Sequence, residues 1–211
     1  MGQLRGLIVD YGGVLTTALD DTMTAWMSAD GVDPVQFAAL MRRWLAPEAH
    51  VNPVHELETG RLPVPEFERL LAAELRRPDG AELEATGMVA RMLAGFRPAA
   101  PMTRVVAQAK AAGIRTALLS NSWGLDYPRE GWPTLFDVVV ISGEVGMRKP
   151  EERIYRHTAE LIGLNAEECV FVDDLAHNVR GAVAAGMVGV HHTDARTTTG
   201  ELEALFGRQF A

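Results

Sequence analysis

Leu4-Arg5-Gly6-Leu7-Ile8-Val9-Asp10-Tyr11-Gly12-Gly13-Val14-Leu15 is an apolar run that stops at an aspartate and turns on two glycines. Short continuous apolar runs read as buried parallel strands. A carboxylate at the carboxyl end of such a strand stands where open α/β sheets place their ligands. The glycines let the backbone turn sharply and come close to a bound group. Asp10 is thus a candidate nucleophile or metal ligand. The alternative is a plain turn residue, and partners at later strand ends decide between the two.

Those partners come from the second half of the chain. Met102 to Ala112 has helical spacing and stops at Gly113. Ile114 to Leu119 is strand-like and ends in Ser120-Asn121-Ser122. Val138 to Ile141 is followed by Gly143, Gly146 and Arg148-Lys149-Pro150. Glu151 to Ile162 is helical, and Cys169 to Val172 is a strand running into Asp173-Asp174. Leu175 to Ala185 is helical, Met187 to Val190 is a last strand, and a helix closes the chain over about 198–206. Strand and helix alternating in this rhythm predict a parallel sheet of about five strands with right-handed crossovers.

Between the first strand and this alternation the pattern is helical throughout. Asp20-Asp21 opens one helix and Gly31 stops it. Asp33-Pro34 opens another, with Asp33 as cap and Pro34 in the first position. Pro47 to Pro53 is a break, Val54 to Thr59 a short helix, and further helices start at Pro65 and span Ala81 to Ala94. Arg97-Pro98-Ala99-Ala100-Pro101 closes the segment. The fold class read from this is α/β: a Rossmann-like parallel-sheet core with an inserted all-helical subdomain. The Met23, Trp26, Met27, Met41 and Trp44 stripe reads as the core of that insert.

The composition is ordinary for a chain of 211 residues, with 47% hydrophobic and 23% charged. A net charge of −8 disfavours a nucleic-acid partner. Cys169 has no second cysteine to pair with, and within Cys169-Val170-Phe171-Val172 it reads as buried. No basic-then-apolar leader opens the sequence, and no apolar run approaches the roughly 18 residues of a membrane span. The expected location is the cytoplasm, with no membrane partner.

Four strand ends carry polar groups: Asp10, Ser120 with Asn121, Lys149, and Asp173 with Asp174. In a doubly wound sheet they converge. Three carboxylates at one spot repel one another unless a cation neutralises them. Hard oxygen ligands without nearby Cys or His point to Mg²⁺. A lysine and a hydroxyl beside them suit phosphoryl oxygens. An aspartate that attacks phosphorus gives an aspartyl-phosphate.

With these residues the chain resembles the haloacid dehalogenase superfamily, in the branch with a helical cap after the first strand. Asp10 matches the motif I nucleophile, Ser120 motif II, Lys149 motif III and Asp173-Asp174 motif IV. Gly143 to Pro150 is similar to the segment around the motif III lysine. Val170 to Met187, with Asn178 and Gly186-Met187, is similar to the amino-terminal phosphatase domain of soluble epoxide hydrolases. So is Leu57-Glu58-Thr59-Gly60-Arg61 followed by Phe67. The resemblance implies a core over 1–16 and 98–211 and a cap over 17–97. It implies Mg²⁺ held by Asp10, the Gly12 carbonyl and Asp174 directly, with Asp173 second or through water. It implies phosphoryl oxygens held by Ser120, Lys149, Gly12 and the Asn121 backbone N–H, with Asn178 steadying the loop or Lys149. The implied substrate is a small phosphorylated metabolite, and a homodimer through the caps fits the branch.

One position departs from the pattern. Phosphatases of the superfamily usually carry an acid/base aspartate two residues past the nucleophile, and here that residue is Gly12. A missing general acid costs ~10²–10⁴ in rate. The loss falls most on leaving groups that need a proton and least on anomeric or acyl oxygens. The expectation is a phosphatase limited to activated leaving groups. The rival readings are a weak or non-enzymatic metal-binding member and a haloacid dehalogenase, the last disfavoured by the acidic pair. Beyond the motifs, Trp123 is read as lining the crevice or packing in the core, and His177 as solvated. His191-His192 is read as structural, and Arg61 as a helix-end residue before it is a cap-loop group. His50 and His55 are weighed as substrate-reading groups of the cap.

Overall fold

A computed structural model describes residues 3–45, 52–124 and 127–210. Five strands form one parallel sheet: β1 (Gly6–Val9), β2 (Arg115–Ser120), β3 (Val138–Ile141), β4 (Cys169–Asp173) and β5 (Val188–His191), in the order β3-β2-β1-β4-β5. The opening apolar run is the central strand. Leu7, Ile8 and Val9 are fully buried because both faces of β1 are covered. Leu7 and Val9 pack with Leu118, Val172, Met102 and Leu202 on one face. Ile8 packs with Leu119, Phe171, Ile154 and Tyr155 on the other.

The chain first runs outward from β1 to β2 and β3, then returns to the far side of β1 for β4 and β5. β1 therefore sits at the topological switch point, where the carboxyl ends of β1, β2 and β4 open a crevice. Val9 is registered with Leu118 on one side and Val172 on the other. That register brings Asp10, Ser120 and Asp173 to the same end of the sheet.

The segment after β1 is helical as the periodicity predicts: Leu19–Asp30, Pro34–Trp44, Pro53–Glu58, Val64–Glu74 and Met88–Leu93. Asp33 caps the second of these by accepting the Val35 N–H at 2.8 Å, with Pro34 in its first turn. Trp26, Leu40, Trp44, Phe67, Leu71 and Met92 give these helices a core of their own. At the base Thr16 bridges to Pro98 and the Ala99 N–H donates to the Leu15 carbonyl. Most of the Pro47 to Pro53 break, residues 47–51, lies outside the described residues, as does His50.

The helix expected over Ala81 to Ala94 is shorter, Met88–Leu93. Gly87 takes a left-handed conformation just before it. The buried Glu68 carboxylate, from the preceding helix, accepts the Gly87 and Val89 N–H groups and so caps the start from outside. A cap supplied by a different element leaves no local sequence signal. Two four-residue helices, Trp132–Leu135 and Ser142–Val145, were also not anticipated. They are too short to show a helical period. Among the described residues no helix is long and apolar enough to cross a membrane.

Glu58 fastens the helical segment to the sheet. Its carboxylate pairs with the Arg148 guanidinium and accepts the Trp123 indole N–H at 3.3 Å, while its carbonyl accepts the Ser142 hydroxyl. Gly60 then passes so close to the Gly143 carbonyl that a Cβ would lie 2.6 Å from its oxygen. Replacing Glu58 by Ala leaves the half-buried Arg148 without its partner, which costs about 2–3 kcal/mol. Urea unfolding of Glu58→Ala should show a loss of that order. Breaking the exposed Glu56–Arg61 pair should leave the midpoint unchanged.

Candidate active site

The central interaction is a buried ion cluster. Lys149 Nζ lies 2.7 Å from Asp10 Oδ1 and 2.6 Å from Asp173 Oδ2, and the lysine is 1% exposed. Asp10 extends from the β1 ladder, its N–H donating to the Val172 carbonyl at 2.9 Å. Lys149 comes from the loop after β3, and Asn121 holds its backbone. The Lys149 N–H donates to Asn121 Oδ1 and Asn121 Nδ2 donates to the Lys149 carbonyl. The Asn121 side chain is thus engaged with the lysine's own peptide groups.

Asp173 is fully buried and its oxygens are well occupied. Oδ1 accepts the Leu175 N–H at 2.8 Å, and Asn178 Nδ2 reaches both oxygens at 3.1 Å. Asn178, 2% exposed, is a buried brace, and its Oδ1 has no partner among the described residues. Asp174 lies next to the loop after β1. Gly13 has φ +73°, and a Cβ there would stand 2.1 Å from Asp174 Oδ2. Gly13 is therefore the glycine the geometry requires. At Gly12 a Cβ would meet only the Phe96 ring, at 3.5 Å, with no positive φ to forbid it.

One carboxylate oxygen from each of Asp10, Asp173 and Asp174 lies within 4.8 Å of the other two. Burial pushes the Asp10 carboxyl up to about 7, against the pull of Lys149. Burial, with Asp173 next, pushes Asp174 up to about 6. Burial alone would lower the Lys149 ammonium, but Asp10 and Asp173 outweigh it and hold it above the ordinary lysine value. One lysine does not neutralise three carboxylates. A hard divalent cation among these oxygens fits the donor set and would keep the acids ionised.

Ser120 Oγ lies 3.0 Å from the Tyr127 hydroxyl. Tyr127 packs edge-on against Tyr11, and burial pushes its phenol up to about 12. Sequence reasoning gave no role to Tyr127, to the ring of Phe96 or to the Glu58–Arg148 pair. Tyr127 and Phe96 lie outside the motifs, Glu58 and Arg148 lie in two motif segments 90 residues apart in the chain, and only folding brings them together at the crevice. Trp123 combines the two alternatives: it lines the cavity and packs edge-to-face with Phe67. His177 is exposed at the cavity wall. His55 is not among the cavity-lining residues, and Arg61 points to Glu56. His191 binds the Asp174 carbonyl and His192 binds Thr198 Oγ1, in keeping with structural roles. Cys169 is buried.

The cavity over this cluster has a volume of about 330 Å³ and reaches from Asp10, Ser120, Lys149 and Asp174 to the helices of the inserted segment. A larger hollow of about 560 Å³ lies beside the amino ends of β1 and β2, at Arg5 and Arg115, and contains no acidic cluster.

Two outcomes test the electrostatics. Lys149→Met should cost about 3–5 kcal/mol in urea unfolding, because two buried carboxylates lose their partner. The second concerns pH. A carboxyl whose folded value is raised adds stability that is complete below about pH 4 and is lost as pH rises through about 6. Metal-free Asp174→Asn should therefore melt about 2–4 °C above the metal-free wild type at pH 7.5. The gap should close by pH 4.

The signature of the haloacid dehalogenase-like hydrolases matches residues 4–186. The chain is 32% identical over 209 residues to the sesquiterpene phosphatase astK of Aspergillus oryzae, covering 96% of this chain and 97% of that protein. It is 27% identical over 174 residues to bifunctional epoxide hydrolase 2 of Rattus norvegicus, covering 75% of this chain but 31% of that protein. Among solved structures, a predicted HAD-like hydrolase from Porphyromonas gingivalis shares the fold with TM-score 0.70 at 23% identity, over 99% of this chain and 100% of the other.

Proposed function

We propose, for a chain that belongs to the haloacid dehalogenase-like hydrolase family, that it is a Mg²⁺-dependent phosphatase acting on a small phosphorylated substrate through Asp10. The observation that carries this reading is the cluster of Lys149 with Asp10, Asp173 and Asp174, of which Asp10, Lys149 and Asp174 line the cavity. The full-length relative named a phosphatase supports it. In this reading residues 1–16 and 98–211 are the catalytic core and 17–97 the cap. The Thr16–Pro98 bridge, which brings the two ends of the inserted segment together, supports this division.

Asp10 would hold the cation with Asp174 and the Gly12 carbonyl. Asp173, whose oxygens are already occupied, would act through water. When bound, the cation would neutralise charge on the acids and on the phosphoryl group. Lys149 engages Asp10 Oδ1, leaving Oδ2 to attack phosphorus. The P–O bond to the organic group breaks, and the leaving oxygen takes its proton from solvent. Water then attacks the aspartyl-phosphate, releasing inorganic phosphate and restoring the Asp10 carboxylate. Ser120, Lys149, Gly12 and the Asn121 N–H hold the phosphoryl oxygens, so the chemistry rests on positioning and electrostatics. Asn178 braces Asp173, which in turn braces Lys149.

With Gly12 in place of an acid, easily departing groups are favoured. The reading predicts hydrolysis of p-nitrophenyl phosphate that EDTA abolishes and that Asp10→Asn lowers at least about 1,000-fold. Activity surviving both changes would overturn it. Gly12→Asp has room for its Cβ. It should raise alkyl phosphate hydrolysis by about tenfold or more relative to p-nitrophenyl phosphate, whose leaving group needs no proton. An unchanged ratio would remove the missing-acid argument.

A further inference from the structure

The cavity changes character away from the acidic cluster. Its outer wall is built from Met23, Phe37, Met41, Leu93, Phe96 and Trp123. Two of these are methionines, which adapt to irregular apolar shapes. The Phe96 ring lies over Gly12, so the space an acid side chain would enter is bounded by an aromatic edge. Several polar groups on the wall are already engaged. Glu58 and Arg148 pair with each other, and Glu58 also takes the Trp123 indole N–H. The Tyr127 hydroxyl is with Ser120. Asp20 and His177 are exposed. A polyhydroxylated organic group placed against Phe37, Met41 and Phe96 would bury hydroxyls away from polar partners, at a cost that an apolar group avoids.

We propose that the cavity binds phosphate monoesters whose organic part is a hydrocarbon chain or ring, and that among these it turns over fastest the ones whose oxygen departs without a proton. The phosphate sits at Lys149 and Ser120, and the apolar part lies against Phe37, Met41 and Phe96. This inference rests on the phosphatase reading and narrows its substrate class. Volume agrees with it, since about 330 Å³ is at the small end of ligand cavities and suits a compact hydrocarbon body.

The test uses n-alkylphosphonates from ethyl to octyl, with Mg²⁺, as inhibitors of p-nitrophenyl phosphate hydrolysis. The phosphonate head is constant and no bond is broken, so leaving-group chemistry drops out. A fully buried methylene is worth about fourfold in binding. The inhibition constant should therefore fall at least about thirtyfold across the six added methylenes. Glucose 1-phosphate should bind no more tightly than ethylphosphonate. Met41→Gln should lower the octyl-to-ethyl ratio at least about fivefold. A flat series, or tighter binding of glucose 1-phosphate, would overturn the proposal. Calorimetric titration of the same phosphonates separates the two readings. A steep chain-length series without p-nitrophenyl phosphate hydrolysis supports the apolar site and overturns the phosphatase reading. Hydrolysis with a flat series does the reverse.

Discussion

Lys149, buried between Asp10 and Asp173, is the interaction on which the site depends. An ammonium taken out of water is tolerated only with partners at hydrogen-bond distance. Here the partners come from the ends of the two strands β1 and β4, which are neighbours in the sheet. The lysine is itself on a loop, so its position has to be imposed. Asn121, just after β2, does this through both peptide groups of Lys149, and Asn178 Nδ2 holds the Asp173 carboxylate by donating to both of its oxygens. Three strand ends and one helix are thus locked around one charge. Among the described residues the remaining acid, Asp174, has no ion-pair partner of this kind. That is why the cluster as a whole is short of positive charge and suited to a cation.

The two glycines after Asp10 differ in what they do. Gly13 is dictated by geometry: its left-handed φ and the approach of Asp174 leave no room for a side chain. Gly12 is under no such constraint, so its lack of an acid is a chemical feature rather than a steric necessity. The crevice next to it is filled by an aromatic edge from Phe96. Glu58 sets how the helical segment sits over this region. Its contacts with Arg148, Trp123 and Ser142 tie a helix of the inserted segment to two loops of the sheet. The loop that carries Lys149 also carries Arg148. The charge that anchors the helical segment and the charge that organises the cluster are therefore adjacent in the chain.

The fold was legible because its signals are local. The apolar runs of β1, β2, β3 and β4 are short, those of β1 and β4 wholly buried, and each is followed by the polar residues that mark a strand end. Helix starts at Asp33-Pro34 and stops at Gly31 and Gly113 obey backbone chemistry that acts within a few residues. The motif residues were legible for a related reason: strand ends of a doubly wound sheet must converge, so polar groups found there belong together. Where reading along the chain failed, the cause was non-local. The helix after Gly87 starts late because Glu68, from another helix, supplies its cap.

The sequence by itself determined the parallel sheet, the helical segment after its first strand, and the family, because these depend on periodicity and on residues at strand ends. Tertiary structure decided what those residues share. It showed that Asn121 and Asn178 are braces, that Asp173 is already occupied while Asp174 lies against Gly13, and that Tyr127, Phe96 and Glu58 complete the crevice. These follow from distances between segments far apart in the chain, and no spacing rule encodes such distances. The opening stretch shows the division most clearly. Asp10 could be read from the strand it ends, but the difference between Gly12 and Gly13 appears only once Asp174 and Phe96 have been folded against them.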